Sequence, residues 1–152
     1  MQSIGLDFFH QKDIYYIILM DHFSGLPMTQ KMRRTMAQDP IRQLVNWFSI
    51  LGAAMFIRAD NGSPFVSAEF RKFCEDYCIE FNLTAPYHSE SLGQLKGGGL
   101  VKAIIKRTEK DNTSFDEAFS AFRNTRNSSG FLPNQLSFLR NVRDPKIPSL
   151  AR

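Results

Sequence analysis

The first part of the chain alternates short apolar runs with polar breaks, a pattern typical of β-strands. Residues 3–9 and 13–23 each have strand length, and the second run is almost continuously apolar. A turn at Ser24-Gly25 leads into a third strand that ends near Met32. Because the connections are so short, the three strands are predicted to form an antiparallel meander.

Helical spacing of the apolar positions begins after Asp39-Pro40, a pair that suits a helix start. One face of this first helix carries a stripe made up of Ile41, Leu44, Val45, Phe48 and Leu51. Strands are then predicted over residues 54–60 and 79–85, with a helix over 67–78 between them. Strand and helix therefore alternate through the middle of the chain.

The C-terminal third is predicted to be helical and then irregular. A helix is expected to resume around residues 100–110. Ser114 and Glu117 have the spacing of a capping box for a further helix. The tail, over about residues 126–152, is expected to be irregular apart from one helical turn near Asn134.

The order β-β-β-α-β-α-β-α-α predicts an α/β fold with a five-stranded mixed sheet and helices on both of its faces. The meander forms the antiparallel part of that sheet. A length of 152 residues suits a single domain over residues 1–152 with one core.

Composition and charge exclude several classes of protein. With 43% apolar residues and 14 phenylalanines, the chain can bury a core and is not expected to be disordered. No apolar run reaches about 18 residues, so no membrane span is expected, and the N-terminus lacks a signal-peptide layout. A net charge of +4 and a pI of about 9.2 permit an anionic partner without requiring one.

Two cysteines, Cys74 and Cys78, have no histidine near them at the spacing of metal ligands. They are therefore interpreted as reduced thiols of an intracellular protein and not as part of a zinc site.

Two carboxylates are the candidate chemistry. Asp7 lies midway along the first strand and Asp60 ends the fourth, so the two side chains would face each other if those strands are neighbours. Such a pair repels unless a cation lies between the two groups, and oxygen ligands suit Mg²⁺. Each aspartate also has a simpler interpretation, because Asp60 begins a common turn sequence and the position of Asp7 depends on strand register. Asp21 and His22 are interpreted as a turn residue and a surface residue.

The stretches "SIGLDFF", "MDHFSG", "FIRADNGSPF" and "PYHSESLGQ" together resemble the catalytic core of retroviral and gypsy-type LTR-retrotransposon integrases. The tail "AFRNTRNSSGFLPNQLSF" is similar to the segment that follows the catalytic part in gypsy-type elements. The resemblance implies an RNase H-like fold. It also implies a polynucleotidyl transfer site in which two aspartates and one glutamate hold two Mg²⁺ or Mn²⁺ ions.

Lys96 stands where the resemblance leads us to expect the glutamate, with thirty-five residues between it and Asp60. The change takes the charge of the ligand set from −3 to −1, and an ammonium near a divalent ion would meet roughly 8 kcal/mol of repulsion. Lys96 is therefore expected to turn away or to pair with Asp7 and Asp60 in place of a metal. Glu90 is the nearby substitute carboxylate.

Three glycines follow that lysine, at positions 97–99. Each costs about 1 kcal/mol relative to alanine in a helix, so they are expected to delay or fray its start. The alternative is that they let a backbone approach closely, such as that of a bound partner.

The leading hypothesis is an inactive integrase core, with no cofactor expected, that serves as a homodimerisation or protein-interaction module. Trp47 and Phe48 are the candidate interface residues. Trp47 lies off the apolar stripe, which indicates either an exposed anchor or packing against a neighbouring segment.

Two other functions remain open. One is an active Mg²⁺- or Mn²⁺-dependent integrase core that uses Asp7, Asp60 and Glu90. The other is a DNA-binding module without catalysis, in which Lys102, Lys106 and Arg107 give a weak affinity for DNA. A solvated helix face explains the same basic residues equally well.

The sequence contains neither a His-His-Cys-Cys zinc module nor a C-terminal small barrel. The chain is therefore expected to be either a fragment of a longer protein or a core that stands alone. The resemblance to integrases implies a nuclear location.

Overall fold

The structure is a computed structural model that describes residues 1–33, 36–84, 95–127 and 130–139, with the backbone alone for residues 95–98. Strands and helices alternate in the order expected from the sequence. In chain order they are β1 Ser3–Gln11, β2 Ile14–Asp21, β3 Pro27–Met32, α1 Gln38–Leu51, β4 Phe56–Ala59, α2 Ala68–Asp76, β5 Glu80–Leu83, α3 Leu95–Asp111, α4 Phe115–Arg123 and α5 Pro133–Phe138.

The five strands form one mixed sheet in the order β3-β2-β1-β4-β5. β2 pairs antiparallel with both β1 and β3, whereas β4 pairs parallel with β1 and β5. A two-residue turn at Lys12-Asp13 joins β1 to β2, and both residues have positive φ, as hairpins of this length require. The predicted α/β fold, with its antiparallel meander inside a five-stranded mixed sheet, is confirmed.

Helices cover both faces of the sheet because its central strands are apolar on both sides. In β2, Ile17 and Leu19 face the core that α1 and α2 cover, while Tyr16 and Ile18 face the opposite way. The first core cluster includes Ile4, Leu6, Leu44, Trp47, Phe48, Ile57, Phe65 and Phe70. The second includes Met20, Val101, Ile105 and Phe119 and places α3 and α4 on the other face.

The core face of α1 differs from the predicted stripe. Trp47 is 5% exposed and Phe48 is 6% exposed, whereas Val45 is 37% exposed. Leu44, Trp47 and Phe48 follow the i, i+3, i+4 spacing of a single helix face, and that face packs on the sheet. The interpretation of Trp47 as an exposed anchor is therefore wrong. Both Trp47 and Phe48 have little area left for a partner.

Helix α3 begins earlier than expected. It starts at Leu95 and runs through all three glycines, so the predicted start around residue 100 is wrong. Val101 and Ile105 are fully buried one helical turn apart and tie α3 to the second core. Tertiary packing of this kind outweighs the low helix propensity of a few residues at one end.

The C-terminal end of α2 and the tail also differ in detail from the predictions. α2 ends at Asp76, two residues before the predicted end. The tail, expected to be irregular with one turn, contains the short helix α5. No helix in the described ranges is both long and apolar enough to cross a bilayer.

Candidate functional site

The register of β1 and β4 brings the two predicted carboxylates together. Leu6 pairs with Ala59 across these parallel strands, so Asp7 and Asp60 are the next residues along each chain. Leu6 and Ala59 both point into the first core. Successive side chains alternate between faces, so Asp7 and Asp60 point to the opposite face, which α3 covers. Parallel pairing thus sets the two carboxyl groups side by side at the end of β4.

The two carboxyl groups interact directly. Asp60 is exposed at the end of β4, yet desolvation of its carboxyl group by the surrounding protein is the main cause that raises its pKa, and the charge of Asp7 raises it further. The backbone N–H of Gly62 donates to Asp60 Oδ1 at 3.0 Å. This hydrogen bond and the positive charge of Lys102 both lower the pKa of Asp60. Two carboxyl groups held this close favour a bound proton or a nearby cation.

A lysine of α3 supplies that cation. Lys102 Nζ forms an ion pair with Asp7 Oδ2, and the side chains are 33% and 18% exposed. The same ammonium lies 5.9 Å from the centre of the Phe9 ring. Asp7 and Phe9 are two residues apart on one face of β1, so the Lys102 side chain follows that face towards the carboxylate. The structure therefore directs Lys102 inward, to the acidic pair, whereas the sequence had suggested a residue that faces DNA.

Of the other two residues predicted to bind DNA, Lys106 stays on the side of Lys102 and Arg107 does not. Lys106 lies one turn further along the same side, with its Nζ 5.6 Å from the Phe9 ring centre. Arg107 points elsewhere, because its side chain is 85% exposed and its Nε lies 3.5 Å from Asp111. The three basic residues predicted to bind DNA therefore point in two directions.

The residues predicted around the third ligand position are only partly described. Lys96 lies in the first turn of α3, and its side chain is outside the described residues. Glu90 also lies outside them. The backbone places Lys96 six residues before Lys102, towards the N-terminal end of the same helix.

The described residues do not fit a two-metal centre. No group of three or more His, Cys, Asp or Glu side chains within the described ranges is arranged to hold a metal ion. Asp7 and Asp60 together supply two carboxylates, and Lys102 already pairs with one of them. The acidic pair and Lys102 carry a net charge of −1, too little to offset the four positive charges of two divalent ions.

The end of β2 is organised by hydrogen bonds that were not predicted from the sequence. The Asp21 carboxylate accepts hydrogen bonds from the Ser24 backbone N–H at 3.1 Å and the Ser24 hydroxyl at 2.6 Å. The Ser137 hydroxyl of α5 donates to Ser24 Oγ at 2.7 Å, which ties the tail to this turn. The Asp-x-x-Ser spacing was a usable signal for the turn, but the contact with Ser137 had none.

His22, interpreted as a surface residue, is half-buried above Gly5. A Cβ on Gly5 would lie 3.0 Å from His22 Nε2, so a larger residue there would require the ring to shift. His22 Nδ1 lies 2.9 Å from the Ser3 hydroxyl. Burial lowers the pKa of His22, and the positive charge of Arg58 lowers it further.

Comparisons with known proteins agree with this architecture. The family model described as "Integrase core domain" matches residues 2–89. The Gag-Pro-Pol polyprotein of Human T-cell leukemia virus 3 is 31% identical over 106 residues, which cover 68% of this chain and 7% of the polyprotein. The chain thus spans a small part of the curated relatives it matches.

Solved structures show the same fold. The HTLV-2 integrase catalytic core domain, in complex with magnesium in its dimeric form, superposes with a TM-score of 0.71 at 20% identity and covers 90% of this chain and 94% of that chain. A chain of the simian T-cell lymphotropic virus intasome, in complex with the PP2A regulatory subunit B56 gamma, has a TM-score of 0.73 at 24% identity. The matched region covers 99% of this chain and 58% of the intasome chain.

Proposed function

Because this chain belongs to the integrase core domain family, we propose that it is a retroelement-derived integrase core that has lost catalysis and serves as a dimerisation or protein-interaction module. The RNase H-like fold and the pairing of Asp7 with Asp60 support a common origin with active cores. Loss of the third carboxylate and the presence of a protein cation beside Asp7 support the loss of chemistry.

One observation carries this proposal: the ion pair between Lys102 and Asp7. A two-metal mechanism needs ions that stabilise both the attacking and the leaving oxygen. Two carboxylates that already share an ammonium offer neither the ligand number nor the negative charge for such ions. A second lysine stands at position 96. On this proposal, lysine side chains balance the negative charge of the two carboxylates that metal ions would otherwise balance.

The proposed role in association is supported by the surface of α1 and by the related structures. Val45 and Ile50 are 37% and 69% exposed, so α1 keeps apolar area on the side away from the sheet. The HTLV-2 core is described in dimeric and trimeric forms. The simian intasome is described in complex with a protein partner. We propose a homodimer as the working assembly of this chain.

A strand-transfer assay with double-stranded oligonucleotides tests the loss of catalysis. In Mg²⁺ or Mn²⁺ the unaltered chain should give no more product than an Asp7→Asn variant, which lacks one of the two remaining carboxylates. Product that depends on Asp7 would overturn the proposal and favour an active site completed by Glu90. Light scattering coupled to size exclusion tests the homodimer, and a monomeric mass at all concentrations would contradict it.

Weak DNA binding without catalysis is the second candidate. Arg107 is largely exposed, Lys106 is exposed one turn from Lys102, and the chain has a pI of about 9.2. Phosphate contacts release counterions, so affinity for duplex DNA should fall steeply as salt rises. A fluorescence anisotropy titration at several salt concentrations would show this. A nuclear location, visible with a fluorescent fusion, belongs to the same proposal.

A further inference from the structure

Given the proposed loss of catalysis, we infer that Lys102 is the resident cation of this site and is the residue that keeps divalent metal ions from Asp7 and Asp60. The sequence had pointed to Lys96, which occupies the position of the missing ligand. The contacts point to a residue six positions further along α3.

The fold delivers Lys102 to the carboxylates by its packing. Val101 is fully buried in the second core and precedes Lys102 directly, so it fixes the rotation of α3 at this point. The Lys102 ammonium then lies 5.9 Å from the Phe9 ring centre and contacts Asp7 Oδ2. Aromatic contact and ion pairing together hold the side chain in one direction.

Lys102 acts on both carboxyl groups. It pairs with Asp7, and its charge also favours the ionised form of the neighbouring Asp60 carboxyl group. An ammonium is a compact charge with three donors, so one group can compensate two neighbouring acceptors. A divalent ion at the acidic pair would have to displace this ammonium and then remain close to it.

The position is also sheltered enough for the charge to matter. The Lys102 and Asp7 side chains are 33% and 18% exposed, so salt screens this pair less than it screens a fully exposed pair. Removing the ammonium should therefore leave two adjacent carboxyl groups without a paired cation in the described part of the chain. That arrangement recruits an ion from solution.

Lys102→Met is the informative change, because methionine keeps an unbranched apolar stem that can still pack on Phe9. Lys106→Met is the matched control. Lys106 lies on the same side of α3, and its ammonium is 5.6 Å from the same ring, but it forms no ion pair among the described residues. Both variants lose one positive charge, so a general electrostatic effect would appear equally in both.

Mn²⁺ binding, followed by calorimetry and by the loss of the free-ion paramagnetic resonance signal, tests the inference without any activity measurement. We expect Lys102→Met to bind Mn²⁺ at least about tenfold more tightly than the unaltered chain and than Lys106→Met. We expect Lys96→Glu alone to gain less than Lys102→Met, and the double variant Lys96→Glu/Lys102→Met to bind most tightly.

Two results would overturn the inference. One is that Lys96→Glu restores tight Mn²⁺ binding while Lys102 is intact. The other is that Lys102→Met and Lys106→Met have the same Mn²⁺ affinity. If Lys102→Met is too unstable for titration, its melting temperature in chelator and in excess Mn²⁺ decides the question. The inference requires the melting temperature of Lys102→Met to rise when Mn²⁺ is added, with no such rise for Lys106→Met. Equal shifts in melting temperature for the two variants would refute it.

The inference about Lys102 and the proposal of an inactive core can fail independently of each other. Strand-transfer product from the unaltered chain would end the proposal of an inactive core. The pattern of Mn²⁺ affinities among the three lysine variants bears on Lys102 alone.

Discussion

Gly99→Ala should stabilise the protein if α3 runs through its glycines. Gly99 is exposed in the second turn of the helix, and a Cβ added there would meet no heavy atom within 4 Å. Alanine removes the backbone entropy that glycine loses on entering a helix, a difference of about 1 kcal/mol in the helix interior. The free energy of unfolding should therefore rise by about that amount, with a melting temperature about 2–4 °C higher for a chain of this size.

Urea denaturation followed by circular dichroism measures this change. An unchanged dependence of the unfolding free energy on urea concentration shows that the folded and unfolded states are comparable in the two proteins. Gly25→Ala is the matched control, because it is the same chemical change at a residue with φ of +70° and equally open surroundings. It should lose roughly 1 kcal/mol, since a side chain is strained in that region. A Gly99→Ala variant that is neutral or destabilised would show that α3 begins after residue 99.

Three further predictions concern the core, the thiols and pH. Trp47→Ala should cost about 3–5 kcal/mol of unfolding free energy because it empties a buried site, whereas Val45→Ala should cost far less; equal losses in urea titrations would contradict the observed face of α1. A thiol reagent should modify the exposed Cys78 and spare Cys74, since burial raises the pKa of Cys74 to about 12, and rapid modification of both would contradict this. The pKa of His22 is lowered in the fold, so its contribution to stability is present above about pH 6.5 and is lost as pH falls towards the lowered value. His22→Gln should flatten this part of the stability profile, and an unchanged slope would refute the assignment.

Much of the fold followed from local patterns in the chain. Short connections and strand-length apolar runs predicted the meander, because such strands have little choice but to pair with their neighbours. The adjacency of Asp7 and Asp60 could also be anticipated, since it depends on the pairing of two strands and on side-chain alternation.

The parts that were missed depend on how helices are rotated against the sheet. A 3.6-residue period accommodates either Val45 or Trp47 beside Leu44 and Phe48, and only the packing of α1 decides between them. The inward direction of Lys102 depends in the same way on the burial of Val101. The integrase motif drew attention to Lys96. The ion pair with Asp7 is instead formed by Lys102, which belongs to no recognised motif.

If the proposed loss of catalysis holds, the site shows how an acidic pair can persist after its chemistry is lost. Once a glutamate ligand is lost, two adjacent carboxylates become a source of repulsion unless a cation accompanies them. Lys102 supplies such a cation from within the chain, through its ion pair with Asp7. On this account Asp7 and Asp60 persist as one half of an internal ion pair.

Anomalous diffraction at the manganese edge, from crystals of the unaltered chain soaked in Mn²⁺, tests the central claim most directly. The account predicts no anomalous peak beside Asp7 and Asp60, with the Lys102 ammonium against Asp7. Two manganese peaks held by Asp7 and Asp60, with Lys102 turned away, would contradict it.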